Sequence, residues 1–381
     1  MARSCPATIK RYFGILRDPR VRRRRRHGLL DIVVMAICAV IADCDTWEDI
    51  GVFVKKRERW FRRFLTLPNG VPSHDTFARV FGRLDPAAFG ACFQQWVAAV
   101  SEAVGLTHIA IDGKTLRRSF DRSANLGPLH LVSAWATNQH LTLGQVAVDS
   151  QSNEITAIPK LLELLDLHGT LVTIDAMGCQ KEIAARIVAG GGDYLLTVKG
   201  NQERLLEDIQ TTVERALEGK MSAEQVDRHT TTERGHGRTE TRSYVVVHRL
   251  SAIRDRAAWP KLTTVGMCYS DRTADGRTST EVRYFISSRR LSAKRCGQAL
   301  RQHWRIENCL HWQLDMAFDE DASRIQQRTA AENFAGLRRI ALSMLKQHPE
   351  NLSVRSKRKA AALDPAFLAE IVRGPAKLGN G

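Results

Sequence analysis

Two aspartates follow short apolar runs of the kind that form buried strands. Asp112 comes after Ile109-Ala110-Ile111, and Asp175 comes after Leu171-Val172-Thr173-Ile174. In open α/β sheets, ligands gather at the carboxyl ends of the strands, and neighbouring strands lie about 4.8 Å apart. If these two strands are neighbours, the two carboxylates converge on one spot. Either aspartate alone is more typical of a strand end or a turn, so the pair carries more weight than each member.

A metal site that handles phosphodiesters needs a third acid, because two Mg²⁺ ions about 4 Å apart require carboxylates from several elements. A helical pattern from Ala293 to Phe318 supplies Glu307. The spacing of four predicts that His303, Glu307 and His311 share one stripe of this helix. A solvated helix face is an open alternative, and spacing alone also leaves Asp315 open as the third acid. A zinc site is disfavoured because the arrangement His-Glu-x-x-His is missing.

The charge of the chain points to a polyanionic partner. There are 57 Lys and Arg against 41 Asp and Glu, a net charge of +16. Nucleic acid or an anionic membrane is therefore the first class of partner to consider. The first 100 residues have 18 basic and 9 acidic side chains, including seven arginines between Arg17 and Arg26. This run is predicted to contact phosphates, with a solvated tether as the alternative. Its candidate DNA contacts are Arg22, Arg23, Arg24, Arg25 and Arg26.

Length and composition narrow the class of protein. A chain of 381 residues with 43% apolar content is not largely disordered and favours two or more domains. Eight cysteines without a Cys-x-x-Cys pair indicate a reducing cytoplasm, with no disulfide framework and no zinc ribbon. The arginines before the apolar run Ile32–Ala42 imitate a secretory signal. That run has 11 residues, whereas a spanning helix needs about 20, so a buried helix is predicted instead, with no membrane partner.

The elements that position these residues follow from periodicity. Helical spacing from Leu29 to about Trp96 predicts an all-helical domain over residues 1–100. Its basic charge favours DNA binding as the role of this domain. Beyond it, three strands, a helix, a strand, a helix and a strand predict a mixed sheet with helices on its faces. Alternating residues predict a β-rich insertion over about 203–290. A basic, loosely packed C-terminal tail is predicted over residues 346–381.

Ordered motifs recur along most of the chain. They are Ile111-Asp112-Gly113-Lys114, Ile174-Asp175-Ala176-Met177 with Gln180, Asp193-Tyr194-Leu195-Leu196 with Lys199-Gly200-Asn201-Gln202, Gly235-His236-Gly237-Arg238, and His303-Trp304-x-Ile306-Glu307-Asn308 with His311-Trp312-x-Leu314-Asp315. Over roughly residues 12–345 the chain resembles ISAs-type insertion-sequence transposases, also called H-repeat-associated proteins. Its Asp18-Pro19-Arg20 and Pro72-Ser73-His74-Asp75-Thr76 motifs resemble the helical region that precedes their catalytic domain.

The resemblance implies a DDE transposase with an RNase H-like catalytic domain over residues 101–345. Asp112, Asp175 and Glu307 would be its catalytic, metal-binding triad, with Mg²⁺ or Mn²⁺ as cofactor. The implied partner is double-stranded DNA in the bacterial nucleoid, both terminal inverted repeats and target, bound by a homo-oligomer at synapsis. One departure concerns the pattern Tyr-x-x-Arg-x-x-x-Glu-x-x-x-x-x-x-Lys of many relatives. This chain has Leu300, His303 and Leu314 at the outer positions, so a step that needs that Arg and Lys, such as hairpin formation, lacks support.

Further candidate DNA contacts surround the predicted metal site. They are Lys114, Arg117, Arg118, Lys199, His303, Trp304 and His311. A cation just past a strand end could hold a phosphate, and a tryptophan could stack on an unpaired base, although helical tryptophans more often pack in a core. The leading hypothesis is a transposase that cleaves insertion-sequence ends and joins the 3′-OH to target DNA by two-metal chemistry. The alternatives are a catalytically inactive, transposase-derived DNA-binding protein and a structure-specific nuclease without strand transfer.

Overall fold

The computed structural model describes residues 7–148, 152–235 and 237–373. Its helices are α1 (Ala7–Phe13), α2 (Leu29–Ile41), α3 (Trp47–Lys56), α4 (Glu58–Phe61), α5 (His74–Phe81), α6 (Pro86–Val104), α7 (Glu154–Leu162), α8 (Lys181–Ala189), α9 (Glu203–Leu217), α10 (Ala293–His303), α11 (Trp312–Phe318), α12 (Arg328–Gln347), α13 (Val354–Leu363) and α14 (Pro365–Arg373). Its strands are β1 (His108–Leu116), β2 (Leu129–Ala136), β3 (Leu141–Ala147), β4 (Leu171–Ile174), β5 (Asp193–Val198), β6 (Val226–Gly235), β7 (Arg238–Val247), β8 (Thr264–Ala274) and β9 (Arg277–Ser287).

The described strands form one mixed sheet in the order β3-β2-β1-β4-β5-β9-β8-β7-β6. β1 pairs with β4 and β4 with β5 in parallel. β2 pairs with β3 in antiparallel fashion, and so do β5 with β9 and the successive pairs from β6 to β9. The predicted sequence of strands and helices from β1 to β5 is confirmed, and so is the mixed α/β class. The strands β6 to β9 occupy the predicted β-rich segment.

The chain divides into two compact units that interleave in sequence. The first unit contains Met1–Gly105, Gly113–Gln151 and Glu307–Gly381. The second contains Leu106–Asp112 and Ser152–Ile306, and β1 runs from the second unit into the first. The predicted domains followed sequence order, whereas these units collect segments that are far apart along the chain.

In the first unit, α2 is the centre of the core. It is apolar on all sides, and 11 of its 13 residues are buried, as in a helix surrounded by protein. It packs against α3, α12 and α13. The prediction of a buried helix after the arginine run is therefore confirmed. Within the part of the chain that the structure describes, no helix is long and apolar enough to cross a membrane.

The segment after Gln347 corrects the prediction of a loosely packed tail. It folds into α13 and α14, and Lys357 and Arg358 are buried. The Arg358 guanidinium lies 2.9 and 3.2 Å from the two carboxylate oxygens of Asp45 and also donates to the backbone oxygen of Ala317. A buried charge persists only when it is paired and hydrogen-bonded. These partners lie far away in the sequence, so the basic run alone looked like a solvated tail.

In the second unit, helices cover the sheet around β4 and β5. α7 begins at a side-chain cap, because Asn153 Oδ1 accepts from the Ile155 amide at 3.1 Å, and α10 begins at the Ser292 cap. α10 packs against β4, β6 and β7. The contact is close at Gly297, where a Cβ atom would come within 2.8 Å of the Tyr244 ring. α10 is thus tightly packed on the part of the sheet that contains β4, β6 and β7.

Candidate functional site

Asp112 and Asp175 stand next to the same stretch of strand pairing. β1 and β4 are parallel, and their register matches Ile111 with Ile174. The two aspartates are therefore the next residues on two neighbouring strands, which lie about 4.8 Å apart. β1 continues to Leu116, so Asp112 ends the paired stretch rather than the strand itself. Both residues are half-buried. The condition set by the sequence, that their strands are neighbours, is met.

The backbone after β4 folds around the Asp175 carboxylate. Asp175 Oδ1 accepts from the amides of Met177 and Gly178, at 3.1 and 3.4 Å. Burial raises the pKa of Asp175, the Gly178 amide opposes this, and the negative charges of Glu154 and Asp112 raise it further. The net result is a pKa above the ordinary value. Carboxylates that repel one another in this way are stabilised by a bound cation.

Two motif residues hold the loop that follows Asp175. Asn201 Nδ2 donates to the backbone oxygen of Ala176 at 2.7 Å. Gln202 Nε2 donates to the backbone oxygen of Cys179 at 3.0 Å. The motifs at residues 174–177 and 199–202 are therefore in direct contact. Sequence reasoning identified both motifs but could not assign this positioning role.

Lys114 is occupied by carboxylates. Its Nζ lies 2.7 Å from Asp315 Oδ1 and 3.1 Å from Asp321 Oδ1, and the side chain is only 9% exposed. Arg117 Nε lies 3.3 Å from Asp321 Oδ2, although its side chain is 81% exposed. Lys114 is therefore paired with two acids within the first unit, and its role as a phosphate contact stays a prediction. Arg117 keeps most of its surface open to solvent.

The other predicted cations lie on the surface. The exposed ones are Arg118, Lys199, Arg22, Arg23, Arg25 and Arg26. Arg25 donates to the backbone oxygens of Arg20 and Asp18, at 2.8 and 3.2 Å. Arg24 belongs to the short 3₁₀ turn Arg22–Arg24, and its side chain lies outside the described residues, as does His236 of the glycine-flanked motif. The arginine run is thus an ordered surface turn, with no α-helix of its own.

Glu307 opens a π-helix in the first unit, spanning Glu307–His311. The predicted stripe of His303, Glu307 and His311 assumed a continuous α-helix, but α10 ends at His303 and α11 begins at Trp312. Glu307 is exposed whereas His303 and His311 are 8% and 9% exposed, so the three do not share one face. The role of the two histidines as DNA contacts stays a prediction. Short π-helices are rare and occur frequently at functional sites.

His303 instead supports the strands of the second unit. Its Nδ1 lies 3.2 Å from the Thr173 hydroxyl, and His108 Nε2 lies 3.0 Å from the same hydroxyl. Burial, together with the neighbouring His303, lowers the pKa of His108 to about 3. Trp304 is 39% exposed, and the Arg283 guanidinium lies 4.4 Å from its ring centroid. One face of that indole is therefore already stacked.

The donor chemistry of the aspartate pair fits a hard divalent cation. Asp112 and Asp175 offer carboxylate oxygens, the ligands that Mg²⁺ and Mn²⁺ prefer. Among the residues that the structure describes, no three His, Cys, Asp or Glu side chains are grouped closely enough to hold a metal ion. Mg²⁺ commonly binds through one or two carboxylates and fills its remaining positions with water and substrate phosphate. The aspartate pair therefore offers two carboxylates of the kind that such an ion binds.

Comparison with known proteins defines the class. Residues 10–97 match the family model described as DDE_Tnp_1-associated, and residues 104–344 match the model of the transposase DDE domain. The chain therefore belongs to the DDE transposase family, which confirms the resemblance of its motifs.

Its relatives cover nearly the whole chain. "Putative transposase YncI" of Escherichia coli O157:H7 is 39% identical over 376 residues, which are 97% of this chain and 95% of that protein. "H repeat-associated putative transposase YhhI" of Escherichia coli strain K12 is 38% identical over 372 residues, with 96% and 98% coverage. A solved structure of the piggyBac transposase synaptic complex with hairpin DNA aligns with a TM-score of 0.40 at 11% identity, covering 97% of this chain and 78% of that one. That similarity is too low to support a statement about function.

Proposed function

We propose that the protein is a DNA transposase that cleaves the ends of an insertion sequence and joins the 3′-OH to target DNA. The observation that carries the proposal is the parallel register that makes Asp112 and Asp175 neighbours, in a chain of the DDE transposase family. The mixed sheet and the motifs support an RNase H-like catalytic domain over residues 101–345. Terminal inverted repeats and target DNA are the partners, and a homo-oligomer holds the two ends in synapsis.

We assign Asp112, Asp175 and Glu307 as the residues that hold Mg²⁺ or Mn²⁺. When bound, such ions activate water for in-line attack and neutralise charge on the phosphate. The role of the protein is to orient hard oxygen donors. The amides of Met177 and Gly178 fix the direction of the Asp175 carboxylate. Because burial and neighbouring negative charge raise the pKa of Asp175, protons compete with the cation, and we expect metal affinity to fall as pH falls.

Two observations favour Glu307 over Asp315 as the third acid. Asp315 accepts from Lys114 Nζ at 2.7 and 2.8 Å, so an ammonium group already neutralises it. Glu307 is exposed and stands at the start of a π-helix. We expect Glu307→Gln to abolish cleavage and Asp315→Asn to retain it. The reverse pattern would exchange the two assignments.

The test uses the purified full-length chain with labelled duplexes that carry the ends flanking its own gene, together with supercoiled target DNA. Reactions contain Mg²⁺, Mn²⁺ or EDTA. The proposal predicts metal-dependent nicking at the ends and joined products. Cutting without any joined product would identify a nuclease instead. Binding without cutting in either metal would identify an inactive, transposase-derived DNA-binding protein.

A further inference from the structure

A cavity of about 700 Å³ lies in the first unit, between residues 20–27, the turn at residues 69–73 and helix α5. We call it the arginine cavity. Its basic lining residues are Arg20, Arg26, Arg79, Arg83 and His27. The described residues that line it include no Asp or Glu. Its volume falls in the range of about 300–1,000 Å³ that is typical of ligand sites.

Arg20 shapes the cavity and is itself neutralised. Its Nη2 lies 2.8 Å from Asp18 Oδ2, its Nε donates to Asp18 Oδ1 at 3.0 Å, and its side chain is only 9% exposed. The same Nη2 donates to the backbone oxygen of His27 at 2.6 Å. Asn69 Nδ2 holds the preceding peptide by donating to the backbone oxygen of Arg26 at 2.7 Å. The Asp18-Pro19-Arg20 motif therefore fixes the path of the chain along the cavity.

The other three arginines are open to solvent. Arg26, Arg79 and Arg83 are exposed. Within the described ranges, none of the three has a carboxylate oxygen within 4.0 Å of its guanidinium nitrogens. Burial lowers the pKa of His27, and the positive charge of Arg26 lowers it further. Three positive charges without an acidic partner thus surround one concave space.

The start of α5 adds hydrogen-bond donors to this space. Ser73, the N-cap residue, and Thr76 both line the cavity, and their hydroxyl oxygens lie 3.2 Å apart. Amide groups at a helix N-terminus favour anions. Arg79 follows Thr76 by three residues within α5, so the two share one side of the helix. Arg83 lines the cavity from the turn that follows α5. The Pro72-Ser73-His74-Asp75-Thr76 motif therefore opens the helix that carries Arg79.

We infer that the arginine cavity binds phosphodiester groups of the DNA backbone. Guanidinium groups hold phosphate oxygens in a bidentate manner, and hydroxyl and amide donors complete such a site. Its apolar lining consists of Val71 and Val80, and the described lining residues include no Phe, Tyr or Trp on which a base could stack. The cavity therefore recognises phosphate irrespective of base sequence. The inference rests on the proposed function, because it takes DNA as the partner, and it assigns a contact to residues other than the proposed metal ligands.

The test measures binding of the full chain to two labelled duplexes by fluorescence anisotropy over a range of salt concentrations. One duplex carries the ends that flank the gene, and the other is unrelated in sequence. The test variant is Arg79→Gln with Arg83→Gln. The matched control is Arg59→Gln with Arg63→Gln, which removes the same charge from exposed arginines of the same unit outside the cavity. Thermal unfolding establishes that both variants fold.

We expect the Arg79→Gln, Arg83→Gln variant to bind both duplexes about tenfold or more weakly. The slope of log affinity against log salt should fall by about 0.9 for each phosphate that the variant no longer neutralises. The control should bind nearly as the parent does. The variant Arg79→Lys with Arg83→Lys keeps the charge but loses the bidentate guanidinium geometry. Its affinity should therefore lie between that of the parent chain and that of the Arg79→Gln, Arg83→Gln variant.

Several results would overturn the inference. Equal weakening in the control would mean a general charge effect, and weakening on the end duplex alone would mean base recognition. Unchanged binding in the test variant, while the parent chain binds and cuts, would rule out the cavity as a DNA contact and leave the proposed function intact. A parent chain that binds neither duplex would contradict both the cavity assignment and the proposed function. Stabilisation of the parent but not the variant by inorganic phosphate, with equal DNA binding, would assign the cavity to free phosphate instead.

Discussion

Protonation of His108 should oppose folding. His108 is 3% exposed at the start of β1, and its pKa is lowered from 6.5 to about 3 by burial and by the neighbouring His303. The unfolded chain takes up a proton at this residue near pH 6.5, whereas the folded chain does not do so until about pH 3. The contribution of neutral His108 to stability is therefore complete above pH 6.5 and is lost as the pH falls towards 3.

The size of this effect follows from linkage. Each pH unit below 6.5 costs about 1.4 kcal/mol of the free energy of unfolding. Between pH 7.5 and pH 5.5, His108 alone should therefore lower that free energy by about 1.4 kcal/mol. His108→Gln removes the titrating group and keeps a donor for the Thr173 hydroxyl. The variant should lose about 1.4 kcal/mol less than the parent chain over the same interval.

The assay is urea unfolding at the two pH values, followed by tryptophan fluorescence. The control is His168→Gln, since His168 is an exposed histidine of the same unit. The control should follow the pH dependence of the parent chain. An equal loss of stability in the parent and in His108→Gln would refute the conclusion that His108 stays neutral in the folded protein.

Substitutions at two glycines should have opposite effects on thermal stability. Gly297→Ala should destabilise by about 1–3 kcal/mol because its Cβ would meet the Tyr244 ring at 2.8 Å. Gly90→Ala, in α6 with open space around it, should stabilise by roughly 0.5–1 kcal/mol; a loss there would contradict the packing. Arg358→Met should cost about 1–3 kcal/mol in urea unfolding, since it removes a buried guanidinium and leaves the half-buried Asp45 carboxylate without this partner. Exposed Arg355→Met should be nearly neutral, and equal losses would argue against a buried ion pair.

Much of the sheet could be predicted because its signals are local. Each strand from β1 to β5 is a short apolar run. Amphipathic helices whose ends can be recognised in the sequence separate β3, β4 and β5. The interleaving of the two units could not be predicted, because it depends on contacts between distant segments. Asn333 Nδ2, for example, donates to the backbone oxygens of Phe81 and Leu84 at 2.7 and 2.8 Å, across about 250 residues of sequence.

The candidate site also combines features that could be predicted from the sequence with features that could not. The position of Asp112 and Asp175 after short apolar strand runs could be predicted, but the sequence left open whether the two strands are neighbours, which the structure shows they are. The ion pair of Lys114 with Asp315 could not be predicted, because 201 residues separate the partners. The prediction that His303, Glu307 and His311 share one stripe of a helix was wrong for a different reason. A spacing of four has meaning only in an α-helix, and no local signal revealed the π-helix that begins at Glu307.

The rate of end cleavage by isosteric aspartate variants tests the central claim most directly. Asp112→Asn and Asp175→Asn remove charge from the pair, while Asp275→Asn makes the same change in the exposed turn between β8 and β9. With Mg²⁺ and saturating end duplex, the first two variants should cleave more than about 100-fold more slowly than the parent, because losing even a partner of a metal ligand costs about 10–100-fold. Asp275→Asn should cleave at the parental rate. Parental rates in Asp112→Asn and Asp175→Asn would contradict the assignment of this pair as the metal-binding centre.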